Sequence, residues 1–313
     1  MSQPPLPRPG LLARWRQSDH AALRTLARSR AVQAALLTLG LLLLAALLAP
    51  WLARQNPFDP AALELLDAFT PPWRHGPSGA FYPLGSDDQG RDLLSAILYG
   101  LRVSLLVGAA AVALSLLAGV ALGLLAGYAG GWFDALVMRV ADIQLTFPVL
   151  LVALLIFGIA RGLLPEGYRD DMAVYVIILA IALSEWVQYA RTIRGVTLVE
   201  KQKDYIAAAR ISGRSRNAIL LGHLLPNMLA PVLVIGTLSF ALAVVAESTL
   251  SYLGVGLPAT QPSLGTLIRI GQAFLFSGEW WILLFPALTL LALALSVNLL
   301  GDWLRDAFDP KLQ

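Results

Sequence analysis

The feature that most constrains this chain is a series of apolar runs too long for the helices of a soluble domain. Residues 31–53, 101–128, 135–160, 173–190, 229–250 and 281–301 are each predominantly apolar. Each is long enough, at about 1.5 Å of rise per residue, to cross about 30 Å of hydrocarbon. Lipid offers no partner to a backbone N–H or C=O, so runs of this kind read as helices. Composition agrees, with 57% hydrophobic residues, 14% charged residues and a mean hydropathy of +0.68. A soluble domain carries about a quarter charged residues over its outside. The expected fold is an all-α membrane protein of about six transmembrane helices. It divides into a segment 1–30, a first span 31–53, an extramembrane stretch 54–100, a core 101–304 that includes the loop 191–228, and a tail 305–313. The first run follows Arg8, Arg14 and Arg16 and is longer than the apolar core of a cleavable signal, so it reads as a retained helix.

The distribution of basic residues orients these spans. Fifteen Lys and Arg fall in 1–30, 191–228 and 302–313, against six in 54–100, 161–172 and 251–280. Basic residues favour the cytoplasmic side, so both termini and the loop 191–228 are expected inside. Basic residues spread through that loop are what topology and partner docking require, and no nucleic-acid partner is expected. Cysteine is absent, and His20, His75 and His223 are far apart in sequence, so no zinc motif can be assembled. Lysine occurs only at 201, 203 and 311. No P-loop can be written with these, nor is there a convincing catalytic set, and the chain is expected to be no enzyme and to bind no cofactor.

Within the apolar spans, ionisable residues are candidates for function. Asp142 has Arg139 three residues away, and Glu185 lies near Arg191, so both read first as paired. Glu247 has no close basic neighbour and is the leading candidate for a translocation path or its gate, with Glu185 second. The span 173–190, short and carrying Glu185, is expected among other helices rather than in lipid. Gly119, Gly123 and Gly127 recur every four residues and predict close approach of a neighbouring helix. Trp280, Trp281 and Trp303 read as anchors at the membrane edges.

The loop 191–228 carries the most informative pattern. Asp204 is expected as an N-cap, Tyr205 to Ser212 as two helical turns around Ala207, Ala208 and Ala209, and Gly213 as the residue that ends them. A second helical stretch, Asn217 to Leu225, is expected to stop at Pro226. Ala208 and Ala209, three residues, Gly213, nine residues, then His223, Leu224, Leu225 and Pro226 resemble the signature loop of permease subunits of ATP-binding-cassette importers. That family has Glu-Ala-Ala, three residues, Gly, nine residues, Ile-x-Leu-Pro. Ala207 stands where the family has Glu, and His223 where it has Ile.

A second stretch narrows the resemblance. Leu84, Gly85, Ser86, Asp87, Asp88, Gln89, Gly90, Arg91 and Asp92 are similar to the motif that precedes the second helix in dipeptide, oligopeptide and nickel permeases. The ending from Asn298 through Asp302, Trp303, Arg305 and Asp306 to Pro310 is also similar to theirs. Pro262, Ser263, Leu264 and Gly265 differ from the Pro-Glu-Trp-Gly of many relatives. Ser86 and Gln89 have capping-box spacing, and Asp87, Asp88 and Asp92 suit the positive end of a helix. The motif therefore reads as a helix entry or as a contact for a binding protein.

The resemblance implies a type I importer bundle in the bacterial inner membrane, of the second permease of the dipeptide type. It implies a homologous second permease, two ATPase subunits that use ATP and Mg, a periplasmic binding protein and a surrounding lipid bilayer. The helix near 205–212, with Asp204, Tyr205, His223, Leu225 and Pro226, would dock on the ATPase, and transport of di- or oligopeptides would proceed by alternating access. The alternative reading is an ion-coupled carrier acting alone through Glu185, Asp142 or Glu247.

The charge distribution makes a direct prediction. A reporter fused at Pro77 should be active only outside the cytoplasm and one fused at Ser215 only inside it. A cytoplasmic signal at Pro77 would overturn the orientation.

Overall fold

The computed structural model describes residues 29–308 except 58, 259 and 260. Most of the expected cytoplasmic segment 1–30 and the end of the tail, including His20, Lys311 and Pro310, lie outside the described residues. The first span is α1 (Arg30–Leu47), opened by Ser29, whose side chain accepts from the Val32 N–H, and followed by a short α2 (Ala49–Leu52). An extramembrane lobe then holds a two-stranded hairpin, β1 (Arg74–His75) against β2 (Phe81–Tyr82).

The second span, α3 (Leu93–Ala129), is 37 residues long, or about 55 Å. It begins eight residues before the apolar run, because Asp92 caps it by accepting from the Ser95 N–H at 2.9 Å. The expected single span 135–160 is instead two helices, α4 (Gly131–Leu145) and α5 (Val149–Leu163), which meet at 99°. Pro148 explains the break, because it has no N–H and drives the preceding residue out of the helical region. The fourth span, α6 (Ala173–Glu200), continues ten residues past the predicted end at 190.

A short α7 (Asp204–Ile211) and α8 (Arg216–Ile219) follow. Pro226 does not end a helix. A π-helical turn over Leu220–Leu224 runs directly into α9 (Leu225–Tyr252), and Pro226 falls in the first turn of α9, where the wider π turn takes in a residue that has no N–H to donate. The stretch 251–280, expected to be extramembrane loop, contains α10 (Leu264–Phe274), an amphipathic helix too short to cross a bilayer. The last helix is α11 (Trp281–Phe308). Among the described residues, five helices are long and apolar enough to span a membrane, or six if the bent pair α4 and α5 counts as one.

Two apolar cores share α3 and α9. One joins α1, α10, α11 and the first half of α3 through Leu93, Leu101, Leu264 and Ile282. The other joins α5, α6 and the middle of α3 through Val107, Phe157 and Ile177. The window of α6 is 72% buried against 33% for α3, so the span that carries Glu185 is covered by other helices, as its sequence predicts. Gly119, Gly123 and Gly127 form the seam between α3 and α6. A Cβ added at any of the three would come closer than 3.0 Å to Trp186 O, Ala190 O or Thr197 Cβ respectively.

Salt bridges fasten α4 to α6. Arg194 makes two bonds to Asp134, at 2.5 and 2.7 Å, and Arg191 pairs with Asp142. The expected partners were Arg139 for Asp142 and Arg191 for Glu185, and neither pair forms. Both expectations used neighbours in sequence, whereas the antiparallel packing of α4 on α6 brings Arg191 to Asp142. Trp281 is also not a lipid anchor. It is 7% exposed and donates its indole N–H to Ser86 O at 3.1 Å.

The seam makes a testable demand. Gly123→Leu should lower the thermal midpoint of the purified protein, since forcing side-chain volume into a packed contact costs about 1–3 kcal/mol or more. Gly158→Leu, on an open face of α5 where nothing lies within 4 Å, should leave it unchanged. Fluorescence-detected size exclusion after heating measures both.

Candidate functional site

Three groups of predicted residues fall in three different places. The first is the loop after α6. Ile206 and Ala209, three apart, are buried against Leu124, Ile193, Leu224 and Met228. That anchoring turns Ala207, Ala208 and Ile211 outward, and Ile211 is 89% exposed. The pattern of small residues pointed to an open face, but the exposed Ile211 was missed.

Asp204 is the first helical residue rather than the cap. The N-cap position is Lys203, with no side-chain cap bond. The other end agrees with the sequence. Gly213 has φ +72°, its N–H donates to Arg210 O, and the Arg214 N–H reaches back to Ala209 O, both at 3.1 Å. This pair of bonds is the Schellman closure that a left-handed residue permits.

Tyr205 ties the helix to its surroundings. Its hydroxyl donates to Glu200 at 2.7 Å and accepts from Asn227 at 3.2 Å, and its ring lies edge-on to His223 at 6.5 Å. Burial and the Glu200 carboxylate push the phenol up to about 12, so it stays a donor at neutral pH. Leu225 and Pro226 start α9 just beyond. The residues of the signature loop thus form one assembly packed at the C-terminal ends of α3 and α6.

The second group is the motif before α3. The expected capping box of Ser86 and Gln89 does not form, because Ser86 sits in a β-bridge with Asp92 and its hydroxyl donates to Asp67 O at 2.5 Å. Asp87 instead folds the turn on itself, accepting from the Gln89 and Arg91 N–H groups and pairing with Arg91 Nε at 2.5 Å, both side chains 1% exposed. Gly85 and Gly90 have φ of +85° and +72°, and a Cβ at either would strike Trp281 or Glu64.

Behind this turn Asp67 is fully buried. Burial alone would raise its carboxyl, but bonds from the Ser78 hydroxyl and N–H and from the Tyr82 hydroxyl outweigh it and hold the group below its ordinary value. Arg91, through Asp87, and Asp92, through Ser95, are built into the lobe and the start of α3, and sequence reasoning missed Asp67, whose carbonyl accepts from Ser86 behind them.

The third group lies within the membrane-spanning region. Glu247 is 0% exposed and serves as a pin. Its carboxyl accepts from Ser104 of α3 at 2.8 Å, Ser251 at 2.8 Å and Ser248 at 3.3 Å. Ser104 also accepts from the Leu264 N–H at 3.3 Å, and Gly265 lies against the Ser248 backbone with no room for a Cβ. Three elements meet on this one carboxyl, which was expected to face a path and has no accessible surface in this conformation.

Glu185 is different. It is 6% exposed, its Oε2 has no hydrogen-bond partner, and it lines a cavity of about 320 Å³. Leu145 and Val149, on either side of the break between α4 and α5, line the cavity together with Leu242, Val245, Gln188 and Thr249. Gln144 holds the break in place, donating to Leu183 O and Ser184 O at 2.9 Å and accepting from the Trp186 indole at 2.9 Å.

A bundle of long apolar helices, a largely apolar cavity between them that holds one carboxyl, and a short helix mounted on the loop after α6 define a multi-pass transport subunit. The chain belongs to the family of binding-protein-dependent transport system inner membrane components, whose sequence pattern matches residues 119–313. It is 38% identical to the dipeptide transport system permease protein DppC of Escherichia coli (strain K12) over 289 residues, 91% of each chain. It is 36% identical to the di/tripeptide transport system permease protein DppC of Pseudomonas aeruginosa (strain UCBPP-PA14) over 291 residues, covering 93% of this chain and 91% of that one. The DppC of Haemophilus influenzae, a dipeptide transport system permease protein, is 36% identical over 271 residues, 86% of this chain and 87% of that one. The chain is accordingly an inner-membrane permease subunit of an ATP-binding-cassette importer, and the ion-coupled carrier acting alone is set aside.

The pin predicts a sharp contrast at one position. Glu247→Gln keeps one acceptor oxygen, and its NH2 can donate to a serine hydroxyl turned to accept, so it should shift the thermal midpoint little. Glu247→Lys replaces the acceptor by a charge among three serine hydroxyls, and an unsatisfied buried donor alone costs about 1–3 kcal/mol, more if charged. The lysine variant should lose most of its folded yield, read by size exclusion of the detergent extract.

Proposed function

We propose that this chain forms half of the translocation path of an importer for di- or oligopeptides. It works beside a homologous permease, with two ATPases that use ATP and Mg on one side of the membrane and a periplasmic binding protein on the other. Support for the substrate comes from relatives named for dipeptide and di/tripeptide transport at 36–38% identity over most of the chain. Both termini and the loop 191–228 are cytoplasmic in this reading, in keeping with the basic residues gathered there.

The observation that carries the mechanism is α7, anchored on one side by Ile206 and Ala209 and bare on the other at Ala207, Ala208 and Ile211. Small side chains on the bare face let the helix backbone enter a groove, and Ile211 supplies apolar area to bury there. The helix is rigidly mounted. Lys203 and Tyr205 both bind Glu200 at the end of α6, and Asn227 links Tyr205 to His223 O at the start of α9. Movement of α7 on an ATPase is thereby carried into α6 and α9, the two helices that wall the cavity beside Glu185. Alternating access follows when that cavity opens to one side or the other.

Glu185 is the group in that cavity suited to a peptide. A carboxyl oxygen without a partner in an apolar wall costs free energy until a donor reaches it, and a peptide brings an ammonium at its N-terminus. Glu247 takes the complementary role, holding α3, α9 and α10 together while the path changes shape. The motif Gly85, Asp87, Gly90, Arg91 and Asp92 shapes the lobe that meets the binding protein.

Gly213→Val tests the coupling. A β-branched residue resists positive φ, a penalty of about 1–2 kcal/mol for the backbone alone, so α7 should end differently and present its bare face at another angle. In the reconstituted importer, substrate uptake should fall at least tenfold while the subunit stays inserted and ATP hydrolysis loses its response to substrate. Wild-type uptake and wild-type stimulation in this variant would remove the coupling role.

A further inference from the structure

The cavity between α7 and the end of α3 is not used by any step above. It measures about 680 Å³ and lies between the end of α3 and the stretch from α7 to the π turn. Arg210, Arg214 and Arg216 line it, over an apolar floor that includes Leu125, Ile219 and Leu220. Arg210 stands over the Tyr128 ring at 5.6 Å, which orients its guanidinium toward the end of α3.

Charge at this place is unbalanced. Among the described residues, none of the three arginines is in a salt bridge. The nearby carboxylates are already engaged, Glu200 with Lys203 and Tyr205, and Asp134 with Arg194. The C-terminal end of α3 contributes only about half a negative charge, and Lys201 already takes its Gly127 carbonyl at 2.6 Å. Among the described residues, three guanidinium groups therefore face one cavity without a salt bridge to neutralise them.

We propose that this cavity binds the headgroup of an anionic phospholipid from the surrounding bilayer, with the phosphate on Arg210, Arg214 and Arg216 and an acyl chain along Leu125. The fit is chemical and positional. Guanidinium groups match phosphate oxygens in a bidentate way, and basic pockets between helices at the membrane edge take acidic headgroups. Leu125, 44% exposed on α3, continues the apolar floor from the cavity toward the hydrocarbon, which a free phosphate would have no use for. Because Arg210 is on α7 and Arg214 and Arg216 flank α8, a bound headgroup would brace the coupling helix against α3.

The test uses the intact importer complex in nanodiscs of phosphatidylcholine alone or of equal parts phosphatidylcholine and phosphatidylglycerol, followed by native mass spectrometry of retained lipid. Wild type should retain phosphatidylglycerol over phosphatidylcholine. The triple variant R210Q/R214Q/R216Q should bind it on the order of a hundredfold more weakly, about 3 kcal/mol at 1.4 kcal/mol per decade. The triple lysine variant, which keeps the charge, should recover most of the retention, so a fold defect in the glutamine variant is distinguishable from loss of the site. Equal retention of the two lipids would overturn the proposal. So would phosphatidylglycerol retention that is the same in wild type and the glutamine variant, or full displacement by millimolar inorganic phosphate, which would make the ligand a free anion.

Discussion

The backbone contact between α3 and α6 is the interaction on which the other parts of this structure rest. Hydrophobic burial cannot hold two helices together in lipid, because acyl chains are as apolar as leucine. What remains is close packing and polar contact, and both occur here. Gly119, Gly123 and Gly127 bring α3 onto the backbone of α6. Lys201 then closes the lower end of the seam on Gly127 O. With α6 fixed there, α4 docks on it through Asp134 with Arg194 and Asp142 with Arg191. The α4–α5 break, the cavity and α7 all take their positions from α6.

Much of this was legible from the sequence, for identifiable reasons. Apolar length and glycine spacing are local properties, and they located the spans and the seam. The end of α7 was legible because Gly213 has one physical use there, a left-handed residue that closes the helix. What escaped notice depends on residues distant in sequence. Glu247 reads as an orphan along the chain, and only the fold brings Ser104 from more than a hundred residues away to meet it. Pro148 was visible, yet an apolar run on both sides of it masks a change of direction. At Pro226 the error was the reverse, since a proline that could stop a helix instead begins one. The amphipathic α10 was missed because a search for spans passes over a helix of 11 residues.

The two buried glutamates show how the same residue type serves opposite ends. Glu247 gathers three hydroxyl donors on its two oxygens and has no accessible surface, so it contributes rigidity where α3, α9 and α10 meet. Glu185 keeps an oxygen unpartnered beside a cavity, at a cost that a fully packed helix would avoid by placing an apolar residue there. Serine supply makes the difference. The stretch around Glu247 provides Ser248 and Ser251 on the same helix, whereas Ser184, next to Glu185, gives its hydroxyl to Ala180 O in its own helix. The departure at Ser263 and Leu264 lies beside the first arrangement, where Gly265, which does match, lets α10 press on α9 beside the pin.

The length of α3 has a mechanical consequence. A helix of about 55 Å in a layer of about 30 Å has close to half its length outside the hydrocarbon. One end is built into the lobe through Asp92 and the other is held by Lys201 beside α7. Such a rod behaves as a lever, and a tilt of about 10° moves one end relative to the other by about 10 Å. The fulcrum is the glycine seam, which lies in the lower half, so the longer arm is on the side of the lobe. A small swing where α7 is held becomes a larger one at the opposite face of the membrane.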